Sequence, residues 1–125
     1  MDADSFTKAV SPLLKTHGFK KSNATWRREQ NESIAVFHVQ KSPWDDGTFY
    51  VNIGTYFHAL GSDAAPTENK CHVRLRLDVR DPLAVVESAL DWYRLRESLT
   101  SAAQLAEQDS KKGLVFHALR TVRPV

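Results

Sequence analysis

The chain has 125 residues, of which 42% are apolar, 26% charged and 10% aromatic, the profile of one globular domain. At this length roughly two-thirds of the unfolded surface is buried on folding, so neither a metal nor a disulfide is needed to hold a core. A single cysteine, Cys71, excludes an intramolecular disulfide framework, and 17 Lys and Arg against 15 Asp and Glu leave no strong electrostatic footprint for nucleic acid. With no signal-peptide start and no apolar run of the roughly 18 residues that a membrane span needs, a cytoplasmic location without membrane attachment is expected.

Phe6, Val10, Leu13, Leu14 and His17 recur at helical spacing, and Gly18 stands where a left-handed cap would stop the helix, which predicts a helix over 4–17. Pro12 inside it removes one backbone donor and should kink the helix, or split it so that Ser11 and Pro12 begin a shorter one. From Phe19 the apolar period changes to two, and the region 19–79 reads as sheet, with runs at 25–28, 33–41, 49–57 and 72–79. Asn31 marks the first turn, while Pro43, Asp45, Asp46 and Gly47 mark the second; connections this short join antiparallel neighbours. Gly61 to Asn69 is the most loop-like stretch, long for a hairpin turn and expected to be mobile.

Asp81 before Pro82 is a strong helix start, and Leu83, Val86, Leu90 and Tyr93 mark a buried stripe. Ser101 with Gln104 fits a capping box, so a second helix is predicted from about Ser101 to Gln108, giving helices within 82–108. The tail 111–125 carries Lys111, Lys112, Arg120 and Arg123 and no acid, and its Leu114, Val115, Phe116 and Leu119 are apolar enough to dock as either helix or strand. The fold class is therefore α+β: a single domain over 1–125 with an antiparallel sheet of four to five strands and the helices packed on one face. Its core should contain Phe6, Leu13, Phe37, Val39, Val51, Ile53, Leu75, Leu77, Val86 and Leu90.

Alternation sorts each strand into two faces. Val73, Leu75, Leu77 and Val79 oppose His72, Arg74, Arg76 and Asp78; Phe49, Val51, Ile53, Thr55 and Phe57 oppose Tyr50, Asn52, Gly54, Tyr56 and His58. The run from Ser33 is less clear, because Ile34 and Val36 lie opposite Ala35, Phe37 and Val39, so its first half is expected to be buried on both sides. A second face remains, bearing His38, Gln40, Tyr50, Asn52, Tyr56, His58, His72, Arg74 and Arg76. A merely solvated sheet face usually shows Thr, Lys, Glu and Ser, whereas Tyr, Arg, His and Asn suit a surface that grips something. Cross-strand Tyr and Arg pairs also stabilise open sheets by a few tenths of a kcal/mol each, so a purely structural face is the plain alternative.

Leu14-Lys15, Gly18-Phe19-Lys20-Lys21, Trp26-Arg27-Arg28, Val39-Gln40-Lys41-Ser42 with Trp44, and Phe49-Tyr50-Val51-Asn52-Ile53-Gly54 together resemble the bacterial family catalogued as domain of unknown function 4304. The resemblance covers residues 5 to about 57 and weakens beyond Arg80. It implies a small α+β domain and brings no catalytic residue or cofactor; some such domains look similar in size and layout to immunity proteins of toxin systems.

Gln40, Lys41, Ser42 and Trp44, with Asn52 and Gly54 on the next strand, could line a polar pocket beside an aromatic wall. In the simpler structural reading Asn52 and Gln40 bond each other across the hairpin and Gly54 relieves crowding at a bulge or bend. His38, His58 and His72 could converge, but none follows a local zinc-ligand spacing, so no metal is expected. There is no glycine-rich phosphate loop, nucleophile elbow or paired-carboxylate spacing, so neither a cofactor nor an enzyme activity is expected. Aromatic and Arg groups on an open sheet can stack single-stranded nucleic acid. Against that, the stretch 42–69 holds Asp45, Asp46, Asp63 and Glu68 with no Lys or Arg, so one lip of the face would repel phosphate. The expectation is a non-enzymatic binding module with a protein partner, plausibly a toxin, recognised through His38, Gln40, Trp44, Tyr50, Asn52, Tyr56, Arg74 and Arg76. A nucleic-acid or small-ligand site on the same face is the alternative.

Overall fold

The computed structural model describes residues 1–44, 47–78, 81–109 and 114–115, with backbone alone for 107–109 and 114–115. Helix α1 spans Ala3–Thr16; Asp2 caps it by accepting the Ser5 amide at 2.8 Å, a partner for one of the free donors of the first turn. Pro12 does not split it. The helix runs through this exposed position, and Thr16 Oγ1 donates back to the Pro12 carbonyl at 2.8 Å. Gly18, at φ +85°, donates to Lys15 O while Phe19 donates to Leu14 O, the paired closure that requires a left-handed residue and here folds Phe19 back onto the helix.

Strands β1 (Lys20–Ser22), β2 (Thr25–Glu29), β3 (Ser33–Lys41), β4 (Phe49–Phe57) and β5 (Val73–Leu77) form an antiparallel meander in chain order, and a two-residue β6 (Leu114–Val115) from the basic tail adds to β5. The rest of that tail, with Val79 and the turn acids Asp45 and Asp46, lies outside the described residues. β1 is the element that the apolar period could not show, because all three of its residues are exposed; the turn that makes it rests on Asn23 at φ +57°, a conformation asparagine tolerates. β5 is shorter than the predicted run and starts after His72.

Helices α2 (Pro82–Leu95) and α3 (Leu99–Asp109) complete the inner layer. Asp81 accepts the Ala84 amide at 3.1 Å, as its place before Pro82 implies. The buried stripe of α2 is Val85, Val86, Ala89 and Tyr93, and Leu83 is 51% exposed, because the helix is rotated from the predicted stripe. α3 begins earlier than Ser101: Ser98 is the cap, its Oγ accepting the Ser101 amide at 3.1 Å and its carbonyl the Ala102 amide, so Ser101 is a first-turn residue instead.

All three helices cover the same face. Phe6, Val10 and Leu14 of α1 and Val86, Ala89 and Tyr93 of α2 pack on Phe37, Val39, Val51 and Ile53, with Leu13, Leu75, Leu77 and Leu90 partly buried at the margin; α3 sets Ala102 and Ala103 against Phe57 and Val73. Tyr93, fully buried, donates its hydroxyl to the Val36 carbonyl, and burial holds that phenol protonated well above its ordinary range. On this face Thr55 is fully buried and its hydroxyl has no hydrogen-bond partner among the described residues. Thr55→Val, which keeps the shape and removes an unsatisfied polar atom, should stabilise the fold by about 1 kcal/mol, read as a higher midpoint in thermal or urea unfolding.

Candidate functional site

Residues paired across antiparallel strands share a face, so the register builds the outer face in rows. Thr25, His38, Asn52 and Arg76 form one row; Arg27, Val36, Gly54 and Arg74 form the next; Glu29, Ile34 and Tyr56 form a third; Gln40 and Tyr50 lie at the opposite end.

One half of this face is covered. The segment 58–72 crosses it as a strap that passes close over Gly54, where a Cβ would come within 2.6 Å of Cys71 Cβ. No bulge is involved; the glycine makes room for the crossing chain. Ile34, Val36 and Tyr56 of the sheet and Cys71 of the strap form a small apolar cluster, so the first half of β3 is buried on both sides, as its pattern implied. Polar fastenings hold it down. Tyr56 Oη accepts the Asp63 amide at 3.1 Å, Arg27 Nε donates to the Pro66 carbonyl at 2.8 Å, and Arg74 makes two bonds to Glu68 at 2.9 and 3.2 Å. His72 lies against the Tyr56 ring with centroids 4.5 Å apart, and its Nδ1 accepts the Phe57 amide at 2.9 Å, which places the proton of the neutral ring on Nε2. Two of the predicted anchors are thereby corrected: Tyr56 is buried and Arg74 is spent on Glu68, so neither stands on an open surface. Alternation assigns a residue to a face but does not show what lies over it.

The other half is open, and there four of the predicted residues meet, Gln40, Tyr50, Asn52 and Arg76. Asn52 donates from Nδ2 to Gln40 Oε1 at 2.8 Å and accepts on Oδ1 from Arg76 Nε at 2.9 Å, while the Arg76 guanidinium lies over the Tyr50 ring, 4.3 Å from its centroid. Gln40, Asn52, Arg76 and Tyr50 thus form one connected group, with Gln40 and Arg76 exposed and Tyr50 half-buried. His38 borders it, its Nδ1 bonded to Thr25 Oγ1 at 3.1 Å. Trp44 stands apart on the β3–β4 hairpin, 82% exposed, its amide bonded to Ser42 Oγ. The expected Asn52–Gln40 bond is present; the additional feature is that Arg76 closes the other end of the same amide.

The chemistry this surface can perform follows from those partners. His38, His58 and His72 are bonded separately, to Thr25, to Glu29 and to the Phe57 amide, and among the described residues no group of three or more His, Cys, Asp or Glu is arranged to hold a metal ion. Burial, followed by the Glu68 carboxylate, pushes the Cys71 thiol far above its ordinary range, which keeps it protonated and poorly nucleophilic. The open half of the face is a hydrogen-bonded aromatic and guanidinium surface.

The fold and surface define a small α+β domain, a helix-backed antiparallel meander with a half-covered outer face. The chain belongs to the family described as domain of unknown function (DUF4304), which it matches over residues 10–112. The match therefore extends through β5, α2 and α3, well beyond the motifs that end near residue 57. No curated protein and no solved structure matches the chain. No helix among the described residues is long and apolar enough to cross a membrane.

Arg74→Ala should destabilise the protein by about 3 kcal/mol, because it leaves the Glu68 carboxylate buried and unpaired, whereas replacing both residues with apolar ones should cost far less. Urea unfolding measures both, and amide exchange at Asp63 reports whether the strap has lifted. The strap also confers a pH dependence. Burial lowers the His72 pKa below its ordinary 6.5, so the unfolded chain takes up the proton more readily than the folded one. This contribution is complete above pH 6.5 and is lost as the pH falls below it; unfolding midpoints measured from pH 8 to 5 should fall in the wild type and lose that component in His72→Asn.

Proposed function

We propose that this protein is a non-enzymatic binding module that recognises another protein through the open half of its outer sheet face. The observation that carries the reading is the Gln40–Asn52–Arg76–Tyr50 group: Arg76 is held in an exposed position by a hydrogen bond to Asn52 and by the Tyr50 ring. Arg, Tyr and Trp are the residues that most often dominate protein interfaces, and side chains already fixed in the free protein lose less entropy on binding. Trp44, on the β3–β4 hairpin, supplies a separate projecting apolar anchor. The sequence from Ser42 to Asn69 holds four acids and no Lys or Arg, and Arg74 is neutralised by Glu68, which fits a protein partner better than a phosphate backbone.

The finer reading is an immunity-like role in which that partner is a toxin, the protein acting in the cytoplasm where Cys71 stays reduced. It draws on the ordered platform of Gln40, Asn52, Arg76 and Tyr50, which can occlude a partner's surface without any chemistry of its own.

Affinity capture with the wild type and with a Trp44→Ala/Arg76→Ala variant tests the proposal. A protein retained stoichiometrically by the wild type at roughly 0.5 M salt, where exposed charges are largely screened, should bind the variant at least tenfold more weakly. Recovery of RNA whose affinity falls linearly with log salt, or of a protein held equally by both forms, would sink it.

A further inference from the structure

A second surface lies on the opposite side of the sheet, at its β1 edge, and shares no residue with the outer-face group. Residues 5–28 contain six Lys and Arg, namely Lys8, Lys15, Lys20, Lys21, Arg27 and Arg28, and no Asp or Glu; the rest of the chain holds the other eleven against all 15 acids. A net charge of +2 therefore conceals a strongly basic segment. The fold gathers part of it around a cleft of about 540 Å³ between the end of α1 and the β1–β2 hairpin, lined by Pro12, Lys15, Phe19, Lys20, Lys21 and Trp26. That volume lies within the range of small-molecule sites. Phe19 and Trp26 present the edges of core side chains at its base.

The three lysines are available. Among the described residues none of them has a carboxylate within ion-pairing distance; Lys21 Nζ lies 5.4 Å from the Trp26 ring centroid. The end of α1 does not occupy them either. Its Leu14 and Lys15 carbonyls accept from Phe19 and Gly18, the His17 carbonyl accepts from Arg28, and the Pro12 carbonyl accepts from Thr16. Lysine on a short edge strand does guard against edge-to-edge pairing, which would explain Lys20 and Lys21 alone. It does not explain Lys15, which is on the helix, or an apolar hollow between the three.

We infer that this cleft binds a small amphipathic carboxylate, its alkyl or aryl body lying against Pro12 and the edges of Phe19 and Trp26 and its anionic head between Lys15 and Lys21. Cationic rim and apolar base together select for both parts of such a ligand. Neutral apolar molecules would leave the lysines unused, and inorganic anions would leave the base exposed.

Octanoate is the probe, titrated into the full chain by calorimetry and followed by amide and indole NMR shifts. Saturable binding is expected, with shifts centred on Phe19, Lys20, Lys21 and the Trp26 indole; octylammonium, the same chain with the opposite charge, should bind at least tenfold more weakly. Each exposed ion pair is worth little, so reversing two charges in Lys15→Glu/Lys21→Glu should raise the octanoate Kd about tenfold. Ser11→Leu, which fills the cleft from α1 without altering charge, should do the same, while Arg94→Glu on the far helix should leave the Kd within about twofold. Absence of saturable binding, equal binding of octylammonium, or shifts mapping elsewhere would each overturn the inference, and the comparison of the two probes on the wild type stands whatever the variants do.

Discussion

Cys71 passes so close over β4 at Gly54 that the strand has no room there for any side chain, and much of the outer face is arranged around that crossing. Because the chain lies on the sheet at this point, Ile34, Val36 and Tyr56 are covered and the central strands are apolar on both sides over half their length. The crossing chain has few apolar groups of its own, so it is held by polar bonds to Tyr56, Arg27 and Arg74. A buried pair such as Glu68–Arg74 contributes little net stability, since desolvation offsets most of the attraction. Its effect is selective instead: any compact arrangement that buries Glu68 away from Arg74 leaves an unpaired charge.

That division decides where the outer face can act. Under the strap Tyr56, Arg27, Arg74 and His72 are taken up by internal hydrogen bonds. Beyond it the same cross-strand logic yields a platform in which Asn52 is satisfied at both ends of its amide and Arg76 is fixed in direction. Such a group offers an ordered cationic and aromatic surface, the condition under which a contact adds affinity instead of losing it to ordering.

How much of this was legible in the sequence follows from what period-two patterning encodes. Alternation gave the bounds of β3 and β4 and the division of their residues between faces, because those strands are long and their inner residues are uniformly apolar. It could not reveal β1, which has no apolar residue to alternate, nor the strap, whose Ala64, Ala65 and Pro66 carry no period and whose position depends on a long-range fit to Gly54. For the same reason Tyr56 and Arg74 read as exposed anchors, although the double burial of Ile34 and Val36 already implied that something must cover that end. The cap of α3 was misplaced for a local reason: Ser98 and Ser101 both stand before residues able to continue a helix, and only the fold selects the first.

Trp26, Arg27 and Arg28 show how one strand joins the two sides of the molecule. Alternation sends Trp26 to the inner side, where it forms the base of the basic cleft, and Arg27 to the outer side, where it holds the strap through Pro66. Arg28 returns to the inner side, lies over the Phe19 ring at 4.8 Å, and bonds the His17 carbonyl and Gln30; Gln30 bonds Ser33, which reaches the Glu97 carbonyl. The end of α1 is thus tied to the turn between α2 and α3 by a chain of side chains that never crosses the outer face. A perturbation of the cleft has this relay as its path into the helices, whereas a perturbation of Arg76 or Asn52 acts on β3, β4 and β5. Since the two sets share no side-chain partner, changes made in both should combine additively.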